Sequence, residues 1–163
     1  MRVRDLMRSS PWFCDRRTHL AATAETPGCG EFGALTVVDG NRQVVGIITD
    51  RDIGGARRTR NRRPSQVRAE QARSHPAVTG KTSDEVHDAL NIVHNRWVRR
   101  LPVVGDSGKL EGTLSLSDLI LQARDDDGSH PELTCQDVLR GLKSIDGVDP
   151  FSCGAETATA CRT

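Results

Sequence analysis

Two stretches of this chain share one grammar. Gly46-Ile-Ile-Thr-Asp-Arg-Asp-Ile53 returns as Gly112-Thr-Leu-Ser-Leu-Ser-Asp-Leu119, and such a repeat restricts a short chain to architectures built from two equivalent units. In each copy a glycine leads into β-forming or apolar residues, a hydroxyl follows (Thr49, Ser115), and an acid stands three further on (Asp52, Asp118). The pattern is that of a strand running into a helix. The hydroxyl suits the N-cap, and the acid suits the third helical position, facing the positive end of the helix dipole. Upstream, Leu35-Thr-Val-Val38 and Leu101-Pro-Val-Val104 end eight residues before their glycines, with a polar turn between. Two short strands therefore feed each helix. Arg8-Ser-Ser-Pro11 and Arg73-Ser-His-Pro76 open the two units at nearly the same spacing.

A unit of some sixty residues is too small to bury a good core alone, so the 163 residues read as one domain of two interdependent halves. Hydrophobic content of 36% and aromatic content of 3% favour a small aliphatic core with a disordered or partner-dependent remainder. With a formal net charge of +1 there is no global field to draw in nucleic acid or anionic lipid, so any anion site must be local. The N-terminus carries no apolar run suited to a signal peptide, and no stretch of about eighteen apolar residues is present to span a bilayer. A soluble cytoplasmic protein is the expectation. The five cysteines, Cys14, Cys29, Cys135, Cys153 and Cys161, are scattered, odd in number and without a Cys-x-x-Cys pair; most read as reduced thiols, with a redox role for one of the tail cysteines as the alternative.

Taken in order, residues 1–7 predict a short helix with Val3, Leu6 and Met7 on one side, followed by a strand over Trp12 to Cys14. Thr18 is placed to cap a helix over His19 to Thr26, which Pro27-Gly28 must end early. Asp39-Gly40-Asn41 turns the chain between strands Ala34 to Val38 and Gln43 to Ile48. The helix after the first motif runs into Arg57-Arg-Thr-Arg-Asn-Arg-Arg63, a run without aromatic residues to stack bases, and so read as a solvated linker. Unit two opens with a helix at about Val67 to Arg73 and a strand over Pro76 to Thr79. Thr82-Ser-Asp-Glu85 has the form of a capping box, with Val86, Ala89, Leu90, Val93 and Trp97 following as a core stripe. His87, Asp88 and His94 on this helix are read as solvent-facing rather than metal-binding. Ser107-Gly108 turns the chain into Lys109 to Leu114, and the closing helix reaches about Arg124. Leu133, Thr134 and Asp137 suit a staple and cap for a further helix carrying Val138, Leu139, Leu142 and Ile145 on one face.

A helix N-terminus offers backbone N–H groups to an anion, and a carboxylate can accept both hydroxyls of a ribose, so hydroxyl plus acid at two such junctions suits a nucleotide. The competing reading is that each pair caps its own helix. As a set, Val3-Arg-Asp-Leu-Met7, the Leu-Pro-Val-Val strand and the Gly-x-x-Thr/Ser-x-x-Asp ending resemble the cystathionine-β-synthase (CBS) domain pair, or Bateman module, over about residues 1–124. The resemblance implies an α/β (α+β) fold of two tandem β-α-β-β-α repeats with pseudo-twofold symmetry and packed sheets, to which the sequence adds a C-terminal helix. The expected organisation is repeat 1 at 1–60, a basic linker at 61–67, repeat 2 at 68–124, an acidic linker at 125–131, the helix at 132–145 and a disordered tail at 146–163.

The resemblance further implies an adenosine-containing ligand, such as AMP, ADP, ATP, S-adenosylmethionine or NAD, in the cleft between repeats. Carried over residue by residue, Asp52 with Thr49 would serve one site and Asp118 with Ser115 and Ser117 the other. Arg99 and Arg100 precede the strand where a basic pair often meets phosphate. Unit one has Gly33 and Ala34 there, and Arg51 could substitute in part. Base contacts are implied near Ser9 and Phe13 for the Asp118 site and near Ser74 and Val78 for the Asp52 site. The resemblance also implies a homodimer formed through helices, and a regulatory output delivered to an effector protein or through the C-terminal segment. No cofactor is required. No nucleophile stands beside a base and no carboxylate pair or metal-ligand set stands out, so the chain is not read as an enzyme. Two rivals are a structural dimerisation module without ligand and a nucleic-acid-binding protein acting through Arg57 to Arg63.

Overall fold

A computed structural model of the chain describes residues 1–25, 33–59, 63–72, 77–125 and 132–146. The elements are α1 (Val3–Leu6), β1 (Phe13–Asp15), α2 (Leu20–Ala24), β2 (Ala34–Val38), β3 (Val44–Thr49), α3 (Asp50–Thr59), a 3₁₀ turn (Pro64–Gln66), α4 (Ala69–Ala72), β4 (Gly80–Lys81), α5 (Val86–Arg96), β5 (Arg100–Val104), β6 (Leu110–Ser115), α6 (Leu116–Gln122) and α7 (Cys135–Asp146). They form a mixed α/β structure with two three-stranded sheets, ordered β1-β2-β3 and β4-β5-β6. In each sheet the first strand runs parallel to the second across a helical crossover, and the second pairs antiparallel with the third. Both antiparallel pairs slip register at the same place, between Val37 and Val38 and between Val103 and Val104.

The repeats are 66 residues apart in sequence, and this offset recurs in the contacts. Arg2 bridges Glu85, and Arg68 bridges His19; adding the offset to one pair gives the other. These bridges also show that the opening segments are exchanged. Val3 is buried among Val86, Leu90, Leu101 and Leu119 of the second half, with Met1, Leu6 and Met7 packed on the same cluster. Val67 and Ala69, which open the second half, are buried with Leu20, Leu35 and Ile48 of the first. Burial of this kind contributes roughly 1.5–3 kcal/mol for each large aliphatic side chain, so each core takes a substantial share of its stabilisation from the other repeat's leader.

Several local expectations are corrected. Strand β1 begins at Phe13 rather than Trp12, and β4 at Gly80 rather than Pro76. Helix α2 starts at Leu20 with His19 as N-cap, so Thr18 is not the cap. Thr82 to Glu85 is not a capping box. Helix α5 starts at Val86 with Glu85 as N-cap and no side-chain cap. Asp84 accepts from Lys81 N–H at 2.7 Å, while Glu85 faces the terminal amine of Met1 and the Arg2 guanidinium, at 3.6 and 3.2 Å. Trp97 leaves the core stripe. It ends α5 in the left-handed region, at φ 52°, and its side chain is exposed. Beyond the repeats, α7 packs on α5 and α6, with Leu133 and Val138 buried in the second core. The side chains of residues 56–62, which take in most of the basic run, and the tail at 147–163 lie outside the described residues.

Candidate nucleotide cleft

Both motif pairs cap their helices. Thr49 Oγ1 and the Thr49 N–H each donate to Asp52 Oδ2 at 2.8 Å, and Asp52 N–H donates back to Thr49 Oγ1 at 3.3 Å. Ser115 and Asp118 repeat this, with Oγ to Oδ2 at 2.5 Å, N–H to Oδ2 at 2.9 Å and the return bond at 3.2 Å. A third copy opens α7, where Thr134 Oγ1 donates to Asp137 Oδ2 at 2.6 Å. Since α7 lies outside the repeat, the box alone marks a helix start rather than a ligand.

What distinguishes the Ser115–Asp118 box is its surroundings. A cleft of about 1030 Å³ opens beside it. Its walls come from both halves: Gly33 to Thr36 and Ile47 on one side, Arg99, Arg100, Pro102, Thr113 and Ser115 to Asp118 on the other, with Arg8 to Trp12 between. Ladder pairing explains the placement of the cation, because Arg100 lies directly opposite Ser115 across the β5–β6 pair. Its counterpart in the first half is Ala34, opposite Thr49. The Arg100 guanidinium instead reaches towards unit one, where a Cβ on Gly33 would stand 3.9 Å from Arg100 Nη1 and 3.1 Å from Asp50 Oδ2.

The electrostatics favour an anion beside a fixed carboxylate. Burial lowers the pKa of Arg100, and the nearby Arg8 acts in the same direction, against the attraction of Asp50 and Asp118. Burial also opposes ionisation of Asp118, but hydrogen bonds from the Ser115 hydroxyl and N–H and from Arg8 outweigh it and hold the carboxyl below its ordinary value. Arg8 Nε donates to Asp118 Oδ1 at 3.0 Å. Arg8, Arg99 and Arg100 all line the cleft, and of the three Arg8 bonds Asp118 directly.

Of the residues expected from sequence, Ser9, Arg99, Arg100, Ser115, Ser117 and Asp118 all line this cleft. Thr49, Arg51, Asp52 and Val78 are not among its lining residues. Ser74 lies outside the described residues. Phe13 is turned against Arg42, whose guanidinium sits 4.8 Å from the ring centroid, and Trp12 stands at the cleft instead. The 66-residue offset accounts for this: it pairs Val78 with Trp12, whereas the Arg-Ser-x-Pro resemblance is out of step by one. Arg8 was not foreseen. The signal for it was that the 66-residue offset aligns Arg8 with Ser74 in the sequence, an unequal pair in an otherwise close repeat.

His87, Asp88 and His94 are exposed, and His87 Nε2 stands 3.6 Å from Asp137 Oδ2. Among the described residues no group of three potential metal ligands converges, and no helix is long and apolar enough to cross a membrane.

Comparison with known proteins identifies the family and the fold. The CBS domain model matches residues 3–56 and 70–124. The chain belongs to the CBS domain family. A 17.7 kDa protein of Acidianus ambivalens is 42% identical over 87 residues, covering 53% of this chain and 51% of that one. The chain spans about half the length of the first curated relatives it matches. Among solved structures, the CBS domain protein TA0289 of Thermoplasma acidophilum superimposes with a TM-score of 0.71 at 23% identity, covering 90% of this chain and 76% of that one. The CBS domain protein PAE2072 of Pyrobaculum aerophilum, complexed with AMP, gives 0.64 at 22% identity, covering 73% and 90%. At these identities the structural likeness speaks for the fold.

Proposed function

We propose that this CBS pair is a regulatory module that binds an adenosine-containing ligand in the cleft beside Asp118. The observation that carries the reading is the convergence of a capped helix start, a basic pair and the opposite repeat's leader on one cleft. Asp118 and Ser115 would take the ribose hydroxyls, Arg99 and Arg100 the phosphate, and Ser9 with Trp12 would lie against the base. The AMP complex of the Pyrobaculum aerophilum protein supports the ligand class.

In this reading the first-half box, Thr49 with Asp52, serves α3 as a cap, and the chain works with one principal site. Ligand bound between the halves stabilises one relative arrangement of them, and a partner protein reads that arrangement. The module is non-catalytic and pairs with a second copy through its helices. A thermal-melt screen against AMP, ADP, ATP, S-adenosylmethionine and NAD(H), repeated on Asp118→Ala, tests the proposal. A ligand-specific rise in Tm that the substitution abolishes is expected. No rise with any of these ligands, into the millimolar range, would leave the ligand-free dimerisation module as the better account.

A further inference from the structure

Both carboxylate oxygens of Asp118 have protein donors. Its Oδ2 accepts from Ser115, and its Oδ1 accepts from Arg8 Nε at 3.0 Å. A ribose that used this carboxylate would compete with Arg8 for the second oxygen. The two partners are unequally held. The Asp118 side chain is 10% exposed and that of Arg8 56%, so the acid is fixed and the guanidinium has solvent to swing into. The Arg8 backbone does not share that freedom, because Arg8 and Thr113 exchange two backbone hydrogen bonds, at 2.9 and 3.1 Å. Thr113 itself lines the cleft. Arg8 is thus a half-exposed side chain on a fixed backbone, lining the same cleft as Arg99 and Arg100.

We propose that Arg8 is a built-in competitor for Asp118 that sets the preference of the site for phosphorylated over unphosphorylated adenosine compounds. The inference rests on the functional reading above. An unphosphorylated nucleoside must displace Arg8 and offers it nothing in return. A nucleotide displaces the same guanidinium and supplies phosphate oxygens for it, and a guanidinium binds phosphate with a directional fork. Solvent reaches this pair from the Arg8 side and screens it in part, so the competitor is weak enough to be displaced and strong enough to discriminate.

Calorimetric titration of AMP and adenosine into the full chain and into Arg8→Gln tests this. The substitution is expected to tighten adenosine about two- to fivefold and weaken AMP about fivefold or more, and Arg8→Lys to restore part of the AMP preference. Salt supplies a check on the unaltered protein: raising it should strengthen adenosine binding, by loosening Arg8 from Asp118, while weakening AMP. An adenosine-to-AMP affinity ratio unchanged by Arg8→Gln, or affinities for both ligands that fall together with salt, would overturn the competitor role while leaving the adenosine site intact. Failure of both ligands to bind the unaltered chain would instead overturn the functional reading, and this inference with it.

Discussion

Gln43 and Lys109 hold the same position in the two repeats, and they pair with each other in an antiparallel bridge. The neighbouring Leu110 N–H donates to the Arg42 carbonyl at 2.9 Å, so the two hairpins meet at their tips. With the leaders exchanged as well, the halves are joined by the tip contact, by Val3 in the second core, and by Val67 with Ala69 in the first, among other contacts.

Interdependence of this kind predicts how fragments behave. A chain ending at residue 63 lacks Val67 and Ala69 and leaves Leu20, Leu35 and Ile48 part-covered. It is expected to show no cooperative thermal transition by circular dichroism, and to regain one on mixing with residues 64–163. A sigmoidal melt from the short fragment alone would count against shared cores.

The repeat glycine has a packing role that its motif position did not reveal. A Cβ on Gly112 would stand 2.5 Å from Met7 Sδ and 2.9 Å from the Arg8 carbonyl oxygen, because the leader lies directly on β6. Gly112→Ala must push that segment away. The expected cost is about 1–3 kcal/mol, read by urea denaturation, together with weakened AMP binding as Arg8 shifts. An alanine variant of unaltered stability would show that the leader moves aside freely.

What could be read from sequence was what is local or repeated. The strand-to-helix junctions were legible because Thr49 with Asp52 and Ser115 with Asp118 obey capping chemistry, whereas Arg99 and Arg100 were singled out through the CBS resemblance, in which a basic pair precedes that strand. The false capping box at Thr82 to Glu85 had the right letters. It failed because Met1 and Arg2, distant in sequence, draw on Glu85, and because Asp84 turns back to Lys81. Trp97 fell on the helical stripe by spacing, yet the helix ends there. The Arg8–Asp118 pair spans 110 residues, and it depends on an exchange of leaders that no local pattern encodes.

Asp118 also makes stability depend on pH in a definite direction. Its folded pKa lies below the ordinary value of 3.8, so its contribution is present in full above that value and is lost as pH falls through the lower folded one. Against Asp118→Asn, the unaltered protein is expected to hold a stability advantage of about 1–2 kcal/mol near neutral pH, by the scale of helix caps. The gap should close on acidification below about pH 4. Chemical denaturation at a series of pH values measures it, and a gap that widens in acid would reverse the assignment.

The three hydroxyl–acid boxes allow capping to be separated from ligand binding. Thr134 and Asp137 share the geometry of Ser115 and Asp118, but they open α7, outside the repeat. If the box serves only its helix, Thr134→Ala and Ser115→Ala should act alike, each costing about 1 kcal/mol and sparing AMP affinity. If the cleft beside Asp118 is the site, the stability losses stay similar while only Ser115→Ala weakens AMP, by several-fold. Paired urea curves and AMP titrations on the two variants distinguish these outcomes. Equal and unchanged affinities would return Ser115 to a purely structural role.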